Sequence, residues 1–366
     1  MTATSTSTPS PPSDPAKGLS DAVLVEWLRD MLLIRELEVR CMQAYQNRKI
    51  GGFCHVYIGQ EAVAVGCTAA VNDNDPIITA YRDHGHALAR KMDPKYCMAE
   101  MFGKIGGCAK GKGGSMHMFD KEHHMYGGHG IVGAQTPVGA GLAFAAKYMD
   151  EVINNKKNSR VALCFLGDGA LNQGAFHEAL NLAGLFDLPV IYVVENNGYS
   201  MGTSIERGTT MAHDLSVKAK AYGIDNIVVD GMDVLNVYNG MKPLVDHCRE
   251  HSRPGFVDMR TYRFKGHSMS DPRKYRTRDE EERYEAEDPI EKLAAVLRKR
   301  GTFDDAAFKA LASDVRKEIR DAVKWADESP EPIAAEELYK DVYVDTWGPF
   351  TGTSMPEMLK GKFERP

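Results

Sequence analysis

The stretch between residues 161 and 199 constrains the fold of this chain more than any other. Val161–Leu166 is a short apolar run, which predicts a buried strand, and it leads into Gly-Asp-Gly at positions 167–169. Gln173–Phe186 has its apolar residues at helical spacing. Pro189–Val194 is a second apolar, β-branched run, and Glu-Asn-Asn-Gly-Tyr follows at 195–199. Strand, helix and strand in this order predict a βαβ unit with parallel strands.

Parallel neighbouring strands end at the same edge of a sheet, so we expect Asp168 and Asn197 to emerge together at the carboxyl edge, where open α/β sheets bind ligands. A carboxylate, an amide oxygen and carbonyls in glycine-rich turns form an oxygen-only site. Such a site suits Mg²⁺ that is held jointly with the phosphates of a ligand. The two motifs and their spacing resemble the thiamine diphosphate binding motif. The alternative is that each motif is only a tight turn.

The rest of the chain predicts an α/β fold, a parallel sheet with flanking helices. Further strands are expected at 75–79, 224–229 and 256–261, and helices at 20–48, 60–70, 137–149, 280–300 and 304–326. Residues 1–17 are mostly Ser, Thr and Pro with almost no apolar content, which predicts a disordered tail. We expect one α/β domain of the thiamine diphosphate-binding type over 18–345, and an extended C-terminal arm over 346–366.

Composition limits the partners and the cellular compartment that we expect for the protein. The net charge of -6 gives no reason to expect nucleic acid or an anionic membrane as a partner. The 7 cysteines are scattered and odd in number, which indicates a reducing compartment. No apolar run reaches the length of a membrane span. The N-terminal residues resemble neither a secretory signal nor a transit peptide, so we expect a bacterial cytoplasmic protein.

Three further features are candidates for a site. His55 follows a glycine pair and could approach a ligand closely, or be a structural histidine. Arg82 follows a predicted strand and suits a diphosphate oxygen, because a guanidinium matches phosphate in a bidentate fork; the alternative is an ion pair with Asp83. Tyr262–Asp279 is a basic loop with little apolar content, which predicts a mobile active-site lid rather than a solvated linker.

Two glycine-rich segments imitate nucleotide motifs. Gly106–Lys112 fits G-x-x-x-x-G-K, but Gly113 replaces the hydroxyl residue that would hold Mg²⁺, so no P-loop is expected. Gly128–Gly133 fits G-x-G-x-x-G, but residues 123–127 do not predict a strand, so no dinucleotide site is expected. The pair at 123–124, two histidines, is expected at the surface because no third ligand stands at metal spacing.

Seven segments together resemble the α subunits of two-subunit pyruvate dehydrogenase E1 components, which are thiamine diphosphate-dependent 2-oxoacid dehydrogenases. In chain order they are GGFCHVYIGQEA, AYRDHGH, GCAKGKGGSMHMF, GIVGAQTPVGAG, GDGALNQG, VENNGYSMGTS and TYRFKGHSMSDP. The resemblance extends over about residues 20–345.

The resemblance implies a complete set of site residues. Magnesium would be held by Asp168, Asn197 and the backbone carbonyl of Tyr199, and the diphosphate by Tyr81, Arg82, Gly169 and Ala170. Gly130 and Val132 would line the aminopyrimidine ring. His55 would lie near the reacting end of the cofactor, and His267 of the lid would assist transfer. We expect His267 to exchange a proton near neutral pH.

The resemblance also implies the reaction and the partners. Pyruvate would be decarboxylated oxidatively, and the acetyl unit would pass to the lipoyl group of the E2 acyltransferase. The glutamate that activates the cofactor ring would come from an E1 β subunit in an α₂β₂ assembly, because Glu61 lies in a helix that we interpret as structural. Two alternatives are the α subunit of a branched-chain 2-oxoacid or acetoin dehydrogenase, and an inactive cofactor-binding scaffold.

Overall fold

The computed structural model describes residues 15–338 and 340–341, so the predictions for residues 1–14 and 346–366 lie outside the described residues. Residues 15–17 of the predicted N-terminal tail are described, and the first two of them contact the rest of the chain. Ala16 is fully buried, and its carbonyl accepts a hydrogen bond from Arg300 Nη2 at 2.6 Å. Asn239 Nδ2 donates to the carbonyl of Pro15 at 2.7 Å. Packing of the described chain therefore begins at its first residues.

The helices are α1 (Asp21–Gln46), α2 (Glu61–Ala70), α3 (His84–Ala89), α4 (Pro94–Met101), α5 (Gln135–Tyr148), α6 (Gly174–Leu185), α7 (Ile205–Gly208), α8 (Val217–Lys220), α9 (Val234–His251), α10 (Arg278–Glu285), α11 (Pro289–Arg300), α12 (Asp305–Glu328) and α13 (Ala334–Glu337). Shorter helical turns lie at Gly114–Met116, Met149–Ile153 and Asp168–Asn172. None of the helices in the described part of the chain has the length and hydropathy needed to cross a membrane.

The strands are β1 (Ile77–Ala80), β2 (Met125–His129), β3 (Ala162–Gly167), β4 (Val190–Asn196), β5 (Tyr199–Ser200), β6 (Thr203–Ser204), β7 (Asp225–Asp230) and β8 (Gly255–Arg260). Six of them form one sheet in the order β2-β1-β3-β4-β8-β7, and every neighbouring pair is parallel. The strands β5 and β6 form a small antiparallel ribbon just after β4. The predicted parallel α/β fold is confirmed.

The central strand pair sets the position of the two motifs. β3 and β4 are in register along their whole length, with Gly167 opposite Glu195. Helix α6 connects them, as the βαβ prediction requires. The chain therefore leaves the sheet at Asp168 and at Asn197 side by side, at the same edge.

Helices cover both faces of the sheet because alternate side chains of each buried strand point to opposite faces. On one face α5 and α6 pack on Cys164, Leu166, Tyr192 and Val194. On the other, α2 and α9 pack on Leu163, Phe165, Ile191 and Val193. A separate apolar cluster joins α1, α4, α11 and α12 beside the sheet.

Two predicted elements need correction. Residues 125–129 form the edge strand β2, with Thr79 paired to Gly128, although the sequence did not predict a strand there. Glycines weaken strand propensity, and this strand carries two of them. The single helix predicted over 280–300 is two helices, because Pro289 starts α11 and Asp288 caps it by accepting from Ile290 N at 2.9 Å.

We expect Phe176→Ala to lower the free energy of unfolding by about 3–5 kcal/mol, the usual cost of deleting a buried phenylalanine ring. Phe176 is fully buried on α6, and its ring contacts those of Tyr192 and Phe256. Urea denaturation followed by circular dichroism measures the change. Phe186→Ala, which truncates a ring that is 52% exposed, is the matched control and should change stability little. Equal effects of the two substitutions would contradict this account of the core.

Candidate active site

Two buried oxygen atoms without partners lie at the carboxyl edge of β3 and β4. Asp168 Oδ1 accepts from Ser200 Oγ at 3.0 Å, but Asp168 Oδ2 has no hydrogen-bond partner. Asn197 Nδ2 donates to Gln60 Oε1 at 3.2 Å, and Asn197 Oδ1 has no partner. Burial raises the pKa of Asp168. Leaving such oxygens buried and unpaired costs free energy, so the donor set fits a hard cation such as Mg²⁺.

The turn after Asn197 brings Tyr199 to the same place. Gly198 has a φ of +79°, a conformation that residues with a side chain rarely adopt. Tyr199 lines the same cavity as Asp168 and Asn197, and its hydroxyl donates to Glu280 Oε2 at 2.9 Å. The carbonyl of Tyr199 as a metal ligand stays a prediction.

Two buried guanidinium groups face the same cavity. Arg82 donates to the carbonyls of Val56 at 2.8 Å and His267 at 2.7 Å. It does not form the alternative ion pair with Asp83, whose Oδ2 accepts from Met118 N at 2.8 Å.

Arg263 is 2% exposed, and its Nε has no partner. Burial, followed by the repulsion of Arg82 and Arg276, lowers the pKa of Arg263 to about 10. The cavity therefore has two buried cations and two buried carboxylates, Asp168 and Glu195, and Glu195 already accepts a hydrogen bond from the Tyr57 hydroxyl. The two guanidinium groups suit an anion such as a diphosphate.

Every site residue predicted from the sequence lines one of two adjoining cavities. The inner cavity, about 230 Å³, is lined by Tyr81, Arg82, Val132, Asp168, Gly169, Ala170, Asn197 and Tyr199. The outer cavity, about 670 Å³, is lined by His55, Tyr81, Gly130, Val132 and His267. Tyr81 and Val132 belong to both, so the metal edge and the histidines form one continuous site.

Two histidines lie together in the outer cavity. The ring centres of His55 and His267 are 5.1 Å apart, and each packs against Tyr81, at 4.6 and 5.7 Å. His55 Nδ1 is buried without a partner. Arg263 Nη1 lies 3.4 Å from His267 Nδ1, and because a guanidinium only donates, this nitrogen of His267 is the acceptor. The proton of the neutral His267 ring is therefore on Nε2.

The expectation that His267 exchanges a proton near neutral pH concerns the cofactor-bound site and stays a prediction; without a bound anion the surroundings of the two histidines favour their neutral forms. Burial, then Arg82 and Arg263, lower the pKa of His267 to about 4. Burial and Arg82 lower the pKa of His55 to about 2. Both rings are therefore neutral at pH 7, rather than half-protonated, because two cations and little water surround them.

The basic loop over residues 262–279 lines the outer cavity, and several of its side chains are buried, unlike those of the alternative, a solvated linker. Tyr262 and Phe264 are buried, and so is Arg276, which stacks on the rings of Tyr262 at 4.3 Å and Tyr199 at 5.1 Å. Met269 N donates to the carbonyl of Cys54 at 2.9 Å. More side chains of this loop are buried than its charged composition suggested. Its predicted movement as a lid stays a prediction.

The segment that imitates a P-loop binds a carboxylate of this chain. Glu100 is fully buried on α4, and its two oxygens accept four backbone N–H groups from the loop, at 2.6–3.1 Å. Glycine-rich loops present N–H groups to anions, and here Glu100 takes the place that a phosphate takes in nucleotide-binding proteins.

The segment Gly128–Gly133, which imitates a dinucleotide motif, begins at the end of strand β2, contrary to the sequence interpretation. A Cβ atom on Gly128 would lie only 2.0 Å from Asp83 Oδ2, so a carboxylate already occupies the space beside that glycine. No dinucleotide site is proposed.

Four residues of the site escaped the sequence interpretation: Gln60, Glu195, Ser200 and Arg263. Gln60 stands far from residue 197 in sequence, so nothing local pairs them. Ser200 is three residues after Asn197 and could have been found from the ribbon that follows the motif. Arg263 was treated only as one of several basic residues of the loop, although it lies three residues after the end of the buried strand β8.

This arrangement is typical of α/β enzymes that bind a phosphate-bearing ligand at the carboxyl edge of a parallel sheet. Comparison with known proteins is more specific: residues 29–335 match the family described as dehydrogenase E1 component, and the chain belongs to that family. The resemblance inferred from the seven segments is confirmed.

Similar proteins cover most of the chain. The pyruvate dehydrogenase E1 component subunit alpha of Rickettsia prowazekii is 47% identical over 320 residues, which are 87% of this chain and 95% of the relative. The same subunit of Rhizobium meliloti is 49% identical over 315 residues, 86% and 88% of the two chains. The chloroplastic subunit alpha-3 of Arabidopsis thaliana is 40% identical over 324 residues, 88% and 75%.

We expect the free energy of unfolding to fall less between pH 7 and pH 5 in His55→Gln than in the wild type. The folded protein keeps the pKa of His55 near 2, whereas the unfolded chain protonates near pH 6.5, so below that pH the unfolded state binds one more proton. This histidine therefore contributes stability above pH 6.5 that is lost as the pH falls. Between pH 7 and 5 the variant should lose about 2 kcal/mol less than the wild type, as measured by urea titrations. His251→Gln, which removes an exposed imidazole, is the control; parallel losses in wild type and His55→Gln would contradict the assignment.

Proposed function

We propose that this chain is the α subunit of a pyruvate dehydrogenase E1 that uses thiamine diphosphate and Mg²⁺. It would decarboxylate pyruvate and pass the acetyl unit to the lipoyl group of the E2 acyltransferase. The observation that carries the proposal is the pair of unpartnered buried oxygens, Asp168 Oδ2 and Asn197 Oδ1, beside two buried arginines in the inner cavity. The printed names of the relatives support the choice of pyruvate.

The residues of the inner cavity would hold the cofactor by its charged end. Asp168, Asn197 and the Tyr199 carbonyl would ligate Mg²⁺, and Arg82 and Arg263 would neutralise the diphosphate together with Tyr81, Gly169 and Ala170. Gly130 and Val132 would line the aminopyrimidine ring. When bound, thiamine diphosphate supplies a nucleophilic carbon and an electron sink for decarboxylation.

The histidines of the outer cavity would serve the reacting end. His267 presents an Nε2–H as a hydrogen-bond donor while its Nδ1 faces Arg263, so it can orient an oxygen of the substrate without a change in charge. His55, neutral and packed on Tyr81, would keep water from that end. The loop over residues 262–279 would complete the wall as a lid.

A second subunit is needed for two reasons. Glu61 is buried in an ion pair with Arg35 at 2.5 Å, so it is not available to activate the cofactor. The outer surface of α5, α6 and the turns that follow them also exposes a group of large apolar side chains, which we call the α5–α6 face: Val138, Phe144, Tyr148, Met149, Val152, Ile153, Leu182, Leu185 and Phe186. An apolar surface of this kind marks a protein interface. We propose that an E1 β subunit covers it, in an α₂β₂ assembly.

The alternatives have less support. A branched-chain 2-oxoacid or acetoin dehydrogenase would use the same fold and cofactor, and substrate kinetics with pyruvate and 3-methyl-2-oxobutanoate would distinguish them. An inactive scaffold would not need to retain Asp168, Asn197 and His267 in one site. We also propose a single cofactor-binding domain over residues 18–345, a C-terminal arm over 346–366, and a location in the bacterial cytoplasm.

Asp168→Ala should abolish Mg²⁺-dependent binding of thiamine diphosphate, weakening it by more than about 100-fold, because it removes the one carboxylate of the proposed ligand set. Calorimetric titration of the assembled α and β subunits measures this. Asp246→Ala, which truncates an exposed aspartate on α9, is the matched control and should bind like the wild type. Wild-type affinity in Asp168→Ala would exclude this metal site.

Phe144→Asp combined with Leu185→Asp should prevent assembly with the β subunit, because each places a charge in the α5–α6 face. Light scattering of the coexpressed subunits gives the mass of the assembly. The separated chain should keep its circular dichroism spectrum and lack decarboxylase activity. Leu338→Asp, at an exposed leucine far from this face in sequence, is the control. Assembly of the double variant as in the wild type would show that this face is not the interface; pairing of α chains alone would assign it to a second copy.

A further inference from the structure

His55 lies on a segment that belongs to no helix or strand. Residues 53–57 run between α1 and α2 in an irregular conformation. Buried backbone groups still need hydrogen-bond partners, and in such a segment other parts of the chain have to supply them. The position of the His55 ring in the outer cavity therefore depends on the groups that bind the backbone around it.

Buried side chains hold three consecutive backbone positions of this segment. His55 N donates to Ser115 Oγ at 3.2 Å, and Tyr57 N donates to Glu38 Oε1 at 2.7 Å. The carbonyl between them accepts from Arg82 Nη1 at 2.8 Å. Ser115 is 4% exposed and Glu38 is fully buried, so water does not compete for these bonds. The backbone that carries the His55 ring is therefore fixed from outside the segment.

His84, the first residue of α3, joins two of the side chains that hold this segment. Its Nδ1 lies 3.0 Å from both carboxylate oxygens of Glu38. Its Nε2 lies 2.9 Å from the carbonyl oxygen of Ser115 and 3.0 Å from Ser115 Oγ. His84 is fully buried. Glu38, His84 and Ser115, which we call the His84 cluster, therefore form one connected group behind His55.

The partners of His84 indicate that both of its ring nitrogens carry a proton. A backbone carbonyl only accepts, so Nε2 donates to Ser115, and a carboxylate only accepts, so Nδ1 donates to Glu38. Burial lowers the pKa of His84, but the attraction of the Glu38 carboxylate outweighs it and raises the pKa to about 9. A buried ion pair is costly to break, because one charge would be left without its partner. The His84 cluster therefore has one defined arrangement.

We propose that Glu38, His84 and Ser115 are positioning residues that fix the backbone of His55 and so hold its ring at the reacting end of the site. The inference rests on the proposed function for the role of that end. None of the three lines the inner or the outer cavity, so they act through His55. A change in the His84 cluster should therefore slow the reaction and leave the binding of the metal and the diphosphate unaffected.

Ser115→Ala is the primary test, because it removes one oxygen and changes no charge. In the assembled α and β subunits, kcat for pyruvate decarboxylation should fall by roughly 10- to 100-fold, because a displacement of about 1 Å at a reacting centre has an effect of this size. Calorimetric titration should give wild-type affinity for thiamine diphosphate with Mg²⁺. A crystal structure of the variant assembly should show a displaced His55 ring, which is a readout independent of turnover.

Ser329→Ala is the matched control. Ser329 is also a buried serine, and its Oγ accepts from Gly106 N at 3.2 Å, the same length as the bond from His55 N to Ser115. It lines neither the inner nor the outer cavity, so this variant should keep the wild-type kcat. An unchanged kcat in Ser115→Ala, or a loss of its affinity for the cofactor, would overturn the proposal.

A second substitution at His55 separates a role through this ring from a general loss of packing. If Ser115 acts through His55, then Ser115→Ala should lower kcat no further in a chain that already carries His55→Ala. A further fall of the same size in the double variant would show that Ser115 acts on another part of the site, and the proposal would be wrong.

Glu38→Gln provides the second test and serves alone if Ser115→Ala does not assemble. It removes the negative charge beside His84 but keeps an oxygen that can accept from Tyr57 N. Neutron diffraction of deuterated crystals of the assembled subunits should show two deuterons on the His84 ring in the wild type and one in Glu38→Gln, and kcat should fall in the variant. One deuteron in the wild type, or an unchanged kcat in Glu38→Gln, would overturn the proposal.

Failure of the proposed function has a different outcome. A wild-type assembly that neither binds thiamine diphosphate with Mg²⁺ nor decarboxylates pyruvate would reject that function. The deuterons on His84 and the position of the His55 ring in Ser115→Ala would still be measurable in such an assembly. The two failures are therefore distinct.

Discussion

The parallel pairing of β3 with β4 is the constraint on which the site depends. The register places Gly167 opposite Glu195, so the turns that carry Asp168 and Asn197 leave the sheet as neighbours. The rest of the fold stabilises that pair: α5 and α6 cover one face, and α2 and α9 cover the other. Because both strands are buried on both faces, a slip in register would bury the wrong residues, and the relative position of the two ligands is therefore strongly specified.

The site contains buried polar atoms that have no hydrogen-bond partner, and a bound ligand would satisfy them. Asp168 Oδ2, Asn197 Oδ1 and Arg263 Nε are all buried without partners in one cavity. The buried carboxylate of Glu100, by contrast, takes four backbone N–H groups of the glycine-rich loop. The glycine-rich loop therefore already binds a carboxylate of this chain, whereas the cavity has unpaired polar groups that can bind a ligand.

The surroundings of a side chain in this site affect its protonation and burial more than its residue type does. His267 has the ordinary side chain of a neutral-pH acid or base, yet Arg82 and Arg263 and its burial keep it neutral. Arg263 and Arg276 belong to a segment with a solvated composition, yet both are buried, Arg276 against a cluster of tyrosines. A bound anion would change the first of these balances, because it would offset the two guanidinium groups that depress the pKa of His267.

The sequence by itself determined the βαβ unit, the parallel sheet, and the meeting of Asp168 with Asn197, since strand periodicity and the right-handed crossover act over short stretches of chain. It did not determine β2, whose glycines hide an edge strand, or the break before α11. Only the tertiary structure brought Gln60 to Asn197, and placed two buried guanidinium groups beside His267. These depend on contacts between segments far apart in the chain and on burial, and local patterns carry no information about either.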